Sequence, residues 1–257
     1  MICTLDIGNS AVKCGLFEAG ELTKTVRESS AADSEAVARR VADLVMDSGA
    51  TRVGISSVVP AVSDAIEKAL MSSGLADVFK VHHRSRLPFA LAYETPSTMG
   101  VDRIAAAAGA CSLPGLSAHD DAPIVVVDAG TATTIDVIAD GSLLGGPILP
   151  GPELLRRAVR AGTAQLPEVE LTWPERVISR STTEAVGTGI MLGFVDAVRG
   201  VLLRVIDELD TQPEIVVTGG WSELLIAKVS LIGRNDPHLV VRGVASLMNL
   251  QPTADGR

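Results

Sequence analysis

Two short turns of the sequence place an acidic residue at the end of an apolar segment. The segments "LDIGNS" (residues 5–10) and "VDAGTATT" (residues 127–134) each pass from an apolar run into an aspartate, one further residue and a glycine. The two aspartates, Asp6 and Asp128, lie 122 residues apart. A carboxylate at the end of a buried strand costs free energy unless a charge or a donor meets it. Each aspartate is therefore expected either to cap a local turn or to face a ligand.

The chemistry that suits both turns is phosphate binding. The glycine after each aspartate allows a tight turn and a close approach of a ligand to the backbone. Consecutive amides with Ser or Thr hydroxyls form a concavity for anions. A carboxylate beside phosphates requires a cation between them, as Mg²⁺ provides in phosphoryl transfer. Together the two turns predict a binding site for a nucleoside triphosphate. Either turn alone is equally typical of an ordinary turn with a capping aspartate.

A second group of chemically useful residues occurs in "YETPSTMGVDR" (residues 93–103). Tyr93 is the only tyrosine of the chain, and Asp102 and Arg103 stand at the start of an alanine-rich helical segment. Asp102 could cap this helix. Alternatively, it could accept a proton from an alcohol while Arg103 binds a carboxylate or phosphate through two parallel hydrogen bonds.

Three glycine-rich segments give weaker signals. "GGPILPG" (145–151) predicts a rigid turn before a helix, and "VVTGG" (216–220) predicts a strand ending where a flat base could approach. "GTGIMLG" (187–193) lies within a helical pattern, so its glycines are interpreted as helix-packing positions. The chain contains no G-x-x-x-x-G-K-[ST] motif, which argues against a P-loop kinase.

The elements that must position these residues alternate between strands and helices. The pattern predicts strands over 2–7 and 12–17 and a helix over 35–48, with Ser34 as its N-cap and Gly49 just past its end. Interleaved strands and helices along the whole chain are an α/β signature. The turn-rich segment at 112–123 precedes a restart of the pattern, which predicts two similar domains, 1–117 and 118–257.

Composition limits the classes of function. The chain has 257 residues, of which 47% are hydrophobic and 21% charged, as in a globular protein. Its net charge of −9 argues against nucleic-acid binding. No membrane span and no secretory signal are predicted, so a cytoplasmic location is expected. The three cysteines are expected to be reduced core residues.

The ordered set "DIGNSAVK", "GVDR", "DAGTATT", "GGPILPG", "TAQLP" and "TGG" resembles the type III pantothenate kinases, which belong to the acetate-and-sugar-kinase, Hsp70 and actin superfamily. The resemblance extends from Asp6 to "HLVVRGV" at 238–244. It implies two ribonuclease-H-like (actin-like ATPase) domains with a nucleotide cleft between them. The implied activity is transfer of the ATP γ-phosphoryl to pantothenate, which gives 4'-phosphopantothenate in the first step of coenzyme A biosynthesis. It also implies a homodimer with the pantothenate site near the interface.

The resemblance assigns residues to the ATP side of the site. Asp6 would face the Mg²⁺–phosphate end of ATP, and Asp128 would be the ligand of a monovalent cation, K⁺ or NH₄⁺. The other residues expected to bind ATP are Gly8, Asn9, Ser10, Lys13, Gly130, Thr131, Gly219 and Gly220. Trp221 could stack on adenine or belong to the core, and the sequence leaves both open.

On the acceptor side, Asp102 would be the catalytic base. Arg103 would pair with the pantothenate carboxylate or stabilise the transferred charge. The remaining residues implied in pantothenate binding are Tyr93, Gly100, Val101 and Thr182. Ser181 stands where the family usually has asparagine, which makes the Thr182 contact less secure.

Two other functions are compatible with the same fold. A non-catalytic accessory regulator would show erosion at Asp102, Arg103 or the phosphate turns, and the sequence shows none. A sugar kinase, an acetate kinase or a polyphosphate-type phosphatase would need an acceptor site different from the one in residues 93–103. The pantothenate kinase function is therefore preferred.

Overall fold

The computed structural model describes residues 1–30, 33–75 and 77–252. Its contacts divide the chain into two units. The first consists of the described residues of Met1–Asp120, Ile138–Gly145 and His238–Arg257, and the second of Asp121–Val137 and Gly146–Pro237. No helix of the described residues is long and apolar enough to cross a membrane.

In chain order the strands and helices are β1 (Ile2–Ile7), β2 (Ala11–Glu18), β3 (Glu21–Ser29), α1 (Ser34–Asp47), β4 (Arg52–Ser57), α2 (Pro60–Ser72), β5 (Val78–Lys80), β6 (Ala90–Leu91), α3 (Val101–Cys111), β7 (Ile124–Ala129), β8 (Ala132–Ala139), β9 (Ser142–Gly145), β10 (Ile148–Pro150), α4 (Pro152–Gly162), α5 (Thr182–Asp207), β11 (Glu214–Thr218), α6 (Ser222–Lys228), β12 (Arg234–Asn235) and α7 (Leu239–Leu250).

The first unit contains a five-stranded sheet with the order β3-β2-β1-β4-β5. The central strand β1 is antiparallel to β2 and parallel to β4. Alternate residues of β1 and β4, such as Leu5 and Ile55, belong to one buried cluster with Val41 of α1 and Ile66 of α2. This face of the sheet is therefore covered by two amphipathic helices. Alternate residues of the strands and one face of each helix supply the buried apolar side chains.

Helices α3 and α7 pack against each other through glycine. A Cβ atom on Gly243 would overlap the backbone carbonyl of Ala105, and one on Gly109 would overlap the carbonyl of Leu239. Helix α7 also contacts β1 and β4, where Gly54 leaves room for Met248. Backbones can approach this closely only where no side chain intervenes. This contact positions the start of α3, which carries Asp102.

In the second unit the strands β12, β11, β7 and β8 are neighbours in that order, and β10 pairs with β8. Strands β7 and β11 are parallel, with Asp128 in register with Thr218 at their ends. Valines at 125–127 and 216–217 are fully buried, which is typical of strands covered on both faces.

The predicted α/β class is confirmed, and most predicted elements are present within one or two residues. The prediction that Ser34 caps α1 is wrong, because Asp33 is the N-cap and accepts from the Ala36 amide at 3.2 Å. The packing interpretation of the α5 glycines is wrong for Gly189 and Gly193, since a Cβ atom on either would meet nothing within 4 Å. Strand β3 was not predicted, because its side chains are mostly polar and exposed.

The sequence pattern and the contacts divide the chain differently. The predicted boundary at 117–118 lies close to the break at Asp120, but the contacts place residues 138–145 and the C-terminal helix with the first unit. Cys3 and Cys14 are buried in the first unit as expected, whereas Cys111 is half-buried.

Candidate functional site

The hairpin of β1 and β2 presents the first phosphate turn. Asp6 on β1 is in register with Lys13 on β2, and the Lys13 Nζ lies 3.6 Å from the Asp6 Oδ2. The amide of Gly8 donates to the carbonyl of Ala11 at 3.0 Å, which closes the turn, and Asn9 and Ser10 are exposed at its tip. The turn thus places a cation and exposed polar groups beside a mostly buried carboxylate.

The carboxyl group of Asp6 is electrostatically perturbed. Burial raises its pKa from 3.8 to about 6, Lys13 opposes the shift, and the carboxylate of Asp102 raises the pKa further. The effect of Asp102 on Asp6 shows that the two carboxylates are near enough to interact. The structure therefore brings together, within the first unit, the two aspartates to which the sequence assigned different roles.

Asp102 occupies the first turn of α3. The N-cap of this helix is Gly100, so the alternative that Asp102 is the cap is wrong. One carboxylate oxygen, Oδ1, accepts from the amide of Arg103 at 2.9 Å. A carboxylate in the first turn also interacts favourably with the helix dipole. These contacts hold the Asp102 side chain at the N-terminal end of α3.

Tyr93 and Arg103 form the acceptor side of this group. Arg103 is buried, and its guanidinium carbon lies 5.8 Å from the centroid of the Tyr93 ring, which is within the range of a cation–π interaction. Gly145 has φ +89°, and a Cβ atom there would lie 2.6 Å from the ring carbon Cδ2 of Tyr93. Gly145 therefore allows the ring to pack directly against the backbone. Sequence reasoning missed this role of Gly145, for which the only signal is its place in a glycine pair.

The second phosphate turn and the "TGG" segment come together in the second unit. Gly219 has φ +95°, and a Cβ atom there would lie 2.6 Å from the Asp128 Oδ1. The amide of Trp221 donates to the carbonyl of Ala129 at 3.0 Å. The amide of Gly130 donates to the carbonyl of Ala132 at 3.1 Å, which closes the turn that carries Thr131. Asp128 thus lies against the glycine pair 91 residues further along the chain.

Thr182 is the first residue of α5, in the second unit, and is exposed. The preceding Ser181 is the N-cap, and its hydroxyl accepts from the Glu184 amide at 3.2 Å. Glu184 in turn accepts from the amide of Arg180 at 2.8 Å and from the guanidinium of Arg176 at 2.7 Å, contacts that lower its pKa. Serine and asparagine are both strong N-cap residues. The serine at 181 therefore preserves the helix start that precedes Thr182.

The carboxylates of the described residues suit a cation that takes most of its ligands from phosphate groups and water. Among the described residues, no group of three or more His, Cys, Asp or Glu side chains could enclose a metal ion. A single carboxylate such as that of Asp6 is typical of Mg²⁺ sites in which phosphates and water supply the other ligands. Trp221 is the half-buried N-cap residue of α6, so a role for it in adenine stacking stays a prediction.

A cavity of about 500 Å³ lies in the second unit between α4 and α5. The side chains that line it are apolar, among them Leu155 and Val159 from α4 and Ile190 and Phe194 from α5. None of the predicted site residues lines it. The cavity therefore has no lining side chain that could bind a phosphate or transfer a proton.

Comparison with known protein families gives a match over most of the chain. The family model for type III pantothenate kinase matches residues 2–204. A type III pantothenate kinase of Chlorobium luteolum is 34% identical over 254 residues, which cover 95% of this chain and 92% of that protein. The type III pantothenate kinase of Brevibacillus brevis is also 34% identical, with coverage of 95% and 96%.

Solved structures share the fold. A Campylobacter jejuni protein described as a member of the Baf family of transcriptional activators has a TM-score of 0.57 at 22% identity, covering 96% of this chain and 97% of its own. An inorganic polyphosphate/ATP-glucomannokinase from Arthrobacter sp. strain KM has a TM-score of 0.54 at 16% identity, with coverage of 98% and 99%. At these identities the likeness shows the fold alone. The predicted class of two ribonuclease-H-like (actin-like ATPase) domains is confirmed.

Proposed function

Because this chain belongs to the type III pantothenate kinase family, its activity is the ATP-dependent phosphorylation of pantothenate in coenzyme A biosynthesis, and we propose that Asp6, Asp102 and Arg103 carry it out. The observation that supports these roles is the electrostatic interaction between Asp6 and Asp102 in the first unit. One carboxylate lies beside a phosphate turn and the other beside Arg103 and Tyr93. This arrangement suits the transfer of a phosphoryl group from a nucleotide to an alcohol.

Asp102 is the proposed catalytic base. Its carboxylate accepts the proton of the pantothenate hydroxyl while that oxygen bonds to the γ-phosphorus of ATP and the bond to the β-phosphate oxygen breaks, leaving ADP. Such transfers pass through a loose transition state, so positioning and electrostatics supply most of the acceleration. Lys13 and the turn formed by Gly8, Asn9 and Ser10 bind the phosphates and hold them in line with the acceptor.

Arg103 is proposed to bind the pantothenate carboxylate or to stabilise the transferred charge. Its guanidinium lies within cation–π range of the Tyr93 ring, and a guanidinium presents two parallel donors to a carboxylate. Gly100, Val101 and Tyr93 line the same part of the first unit. Thr182, in the second unit, is proposed as a further contact to pantothenate.

Two cations are part of the proposal. Asp6 would hold Mg²⁺ at the phosphate end of ATP, and Asp128 would hold K⁺ or NH₄⁺ beside Gly130, Thr131, Gly219 and Gly220, which are proposed to bind ATP from the second unit. When bound, these cations neutralise phosphate charge. Carboxylate oxygens are suitable ligands for both.

We also propose a homodimer located in the cytoplasm. Val177 and Ile178 of the second unit are 72% and 84% exposed, and they precede the Thr182 helix by only a few residues. Large apolar side chains exposed to this degree favour a protein–protein contact.

A coupled ADP-release assay tests the proposed function. Turnover is expected to require pantothenate and to rise when K⁺ or NH₄⁺ is added. Absence of pantothenate-dependent turnover under every condition would contradict the kinase function. Nucleotide binding without turnover would instead favour the accessory-regulator alternative.

A further inference from the structure

Ser56 has a buried hydroxyl group that takes no part in the proposed phosphoryl transfer. The residue is fully buried in β4, and among the described residues its Oγ has no hydrogen-bond partner. A hydroxyl removed from water without a partner costs free energy, and native proteins contain few of them. This hydroxyl therefore requires an explanation.

The sheet places Ser56 beside Asp6. Strands β1 and β4 are parallel, and the Cα atoms of Asp6 and Ser56 are partners in register. Registered residues on neighbouring strands point to the same face, with the strands about 4.8 Å apart. On β4, Gly54 faces Val244 and Met248 of α7, so Ser56, two residues later, lies on this face and not on the face covered by α1 and α2.

Neighbouring polar groups already have other partners. The Thr4 hydroxyl, on the same face of β1, donates to the carbonyl of Gly15 at 3.5 Å. The Ser57 hydroxyl donates to the carbonyl of Val59 at 3.2 Å. The Asp6 carboxylate is the charged acceptor in register with Ser56, and its contact with Lys13 at 3.6 Å is an ion pair beyond ordinary hydrogen-bond length.

We propose that Ser56 is a positioning residue for Asp6, donating a hydrogen bond from its hydroxyl to the Asp6 carboxylate when ATP is bound. A hydrogen bond to a charged group is stronger than one between neutral groups and fixes the direction of the carboxylate. Ser56 thus orients Asp6 toward the phosphate turn. This inference rests on the proposed role of Asp6 at the phosphate end of ATP.

The test measures ATP binding in the presence of Mg²⁺ by calorimetry, together with steady-state kinetics. Ser56→Ala is expected to raise the Kd for ATP about 10-fold and to leave the KM for pantothenate unchanged. Ser56→Thr retains the hydroxyl and is expected to bind ATP within about threefold of the parent. Thr4→Val is the matched control, because it removes a fully buried hydroxyl of the same face that has its own partner.

A double-mutant cycle with Asp6→Asn separates this inference from the role of Asp6 itself. If Ser56 acts through Asp6, Ser56→Ala adds no further loss of ATP binding in the Asp6→Asn background. Weakened binding in Asp6→Asn with normal binding in Ser56→Ala would overturn the Ser56 inference alone. Normal binding in Asp6→Asn would overturn the role of Asp6. Equal losses in Ser56→Ala and Thr4→Val, with equal falls in Tm, would show a merely structural role and also overturn the inference.

Discussion

The carboxylates of Asp6 and Asp102 interact electrostatically, but each has a different bonding partner. Asp6 is paired with Lys13 across a hairpin, whereas Asp102 accepts from a helix amide. Two nearby carboxylates with different partners are suited to different tasks, because each partner sets the direction of its own carboxylate. The proposed division, with Asp6 serving ATP and Asp102 serving the alcohol, follows from this difference.

Replacement of the proposed base tests this division. Asp102→Asn is expected to lower kcat by roughly 10² to 10⁴ while the protein stays folded, because the amide keeps the shape of the side chain but cannot accept the proton. Steady-state kinetics and a thermal melt measure the two effects. Asp64→Asn, at an exposed position in α2, is the control and should leave kcat unchanged. An unchanged kcat in Asp102→Asn would remove Asp102 from the mechanism.

The raised pKa of Asp6 predicts how stability depends on pH. Between pH 3.8 and about 6 the folded protein holds a proton on Asp6 that the unfolded chain has released, so this group makes the folded state less stable as pH rises through that window. Asp6→Asn removes the effect and is expected to gain up to about 3 kcal/mol in free energy of unfolding over the parent above pH 6. Urea unfolding at pH 4 and pH 7 measures this. Parallel stability profiles for the two proteins would contradict the prediction.

The sequence identified residues of the candidate site, but it did not show which of them lie close together. The "D-x-G" turns and "GVDR" identified both aspartates, because phosphate turns and helix starts have local signatures. The proximity of Asp6 to Asp102 depends on long-range packing, which no local pattern encodes. Ser56 gave no signal either, since a serine at a strand end is ordinary and only the register with Asp6 makes it notable.

At the scale of elements, the crossing of α3 and α7 sets the position of Asp102. Gly243→Ala is expected to destabilise the protein by about 1 to 3 kcal/mol and to lower kcat, because the new methyl group pushes on the Ala105 carbonyl in α3. Gly189→Ala in α5 is the matched control. Its Cβ atom meets nothing within 4 Å, so the change should stabilise by about 0.5 to 1 kcal/mol. Similar melting curves for the two variants would contradict this account.

The strand end at Gly145 is expected to control acceptor binding. Gly145→Ala should displace the Tyr93 ring and raise the KM for pantothenate about 10-fold with little change in the KM for ATP, because the ring and Arg103 move together. Gly74→Ala is the control, because Gly74 has the same φ of +89° but a Cβ atom there would meet nothing within 4 Å. This control separates backbone strain from displacement of the ring. Equal effects of the two changes on pantothenate KM would exclude a specific role for Gly145.

Elements with clear periodicity were predicted closely, and the exceptions have physical reasons. Helix α1 begins one residue early because Asp33 competes successfully with Ser34 for the capping position. Strand β6 was not predicted, because it consists of two residues and so cannot show an alternating pattern. The exposed edge strand β3 is stabilised by pairing with β2 and not by burial, so hydrophobicity cannot reveal it.

At the scale of the whole molecule, the proposed dimer predicts a concentration-dependent mass. The double variant Val177→Glu with Ile178→Glu is expected to shift the mass in solution from dimer to monomer, because buried charges would oppose the contact. Light scattering coupled to gel filtration measures this. Met71→Glu, at a position 59% exposed in the first unit, should leave the mass unchanged. A parent protein that is monomeric at all concentrations would refute the dimer.

The organisation of the chain was the hardest feature to predict. The similarity of the two aspartate turns suggested two successive halves, and that similarity is present at the ends of β1 and β7. The sequence offered no local sign that residues 138–145 and α7 pack with the first unit, because α7 has the composition of any buried helix. Only its contacts with α3 and β1 reveal its place.

The position of α7 has a consequence for synthesis of the chain. The ribosome makes Asp6 and Asp102 long before Leu239, where the helix that packs against β1 and α3 begins. Domains usually fold in order from the N-terminus as they are made. In this protein the first unit is begun before the second unit but needs a helix made after it, so a nascent chain holds both carboxylates in an unfinished setting until α7 has been made.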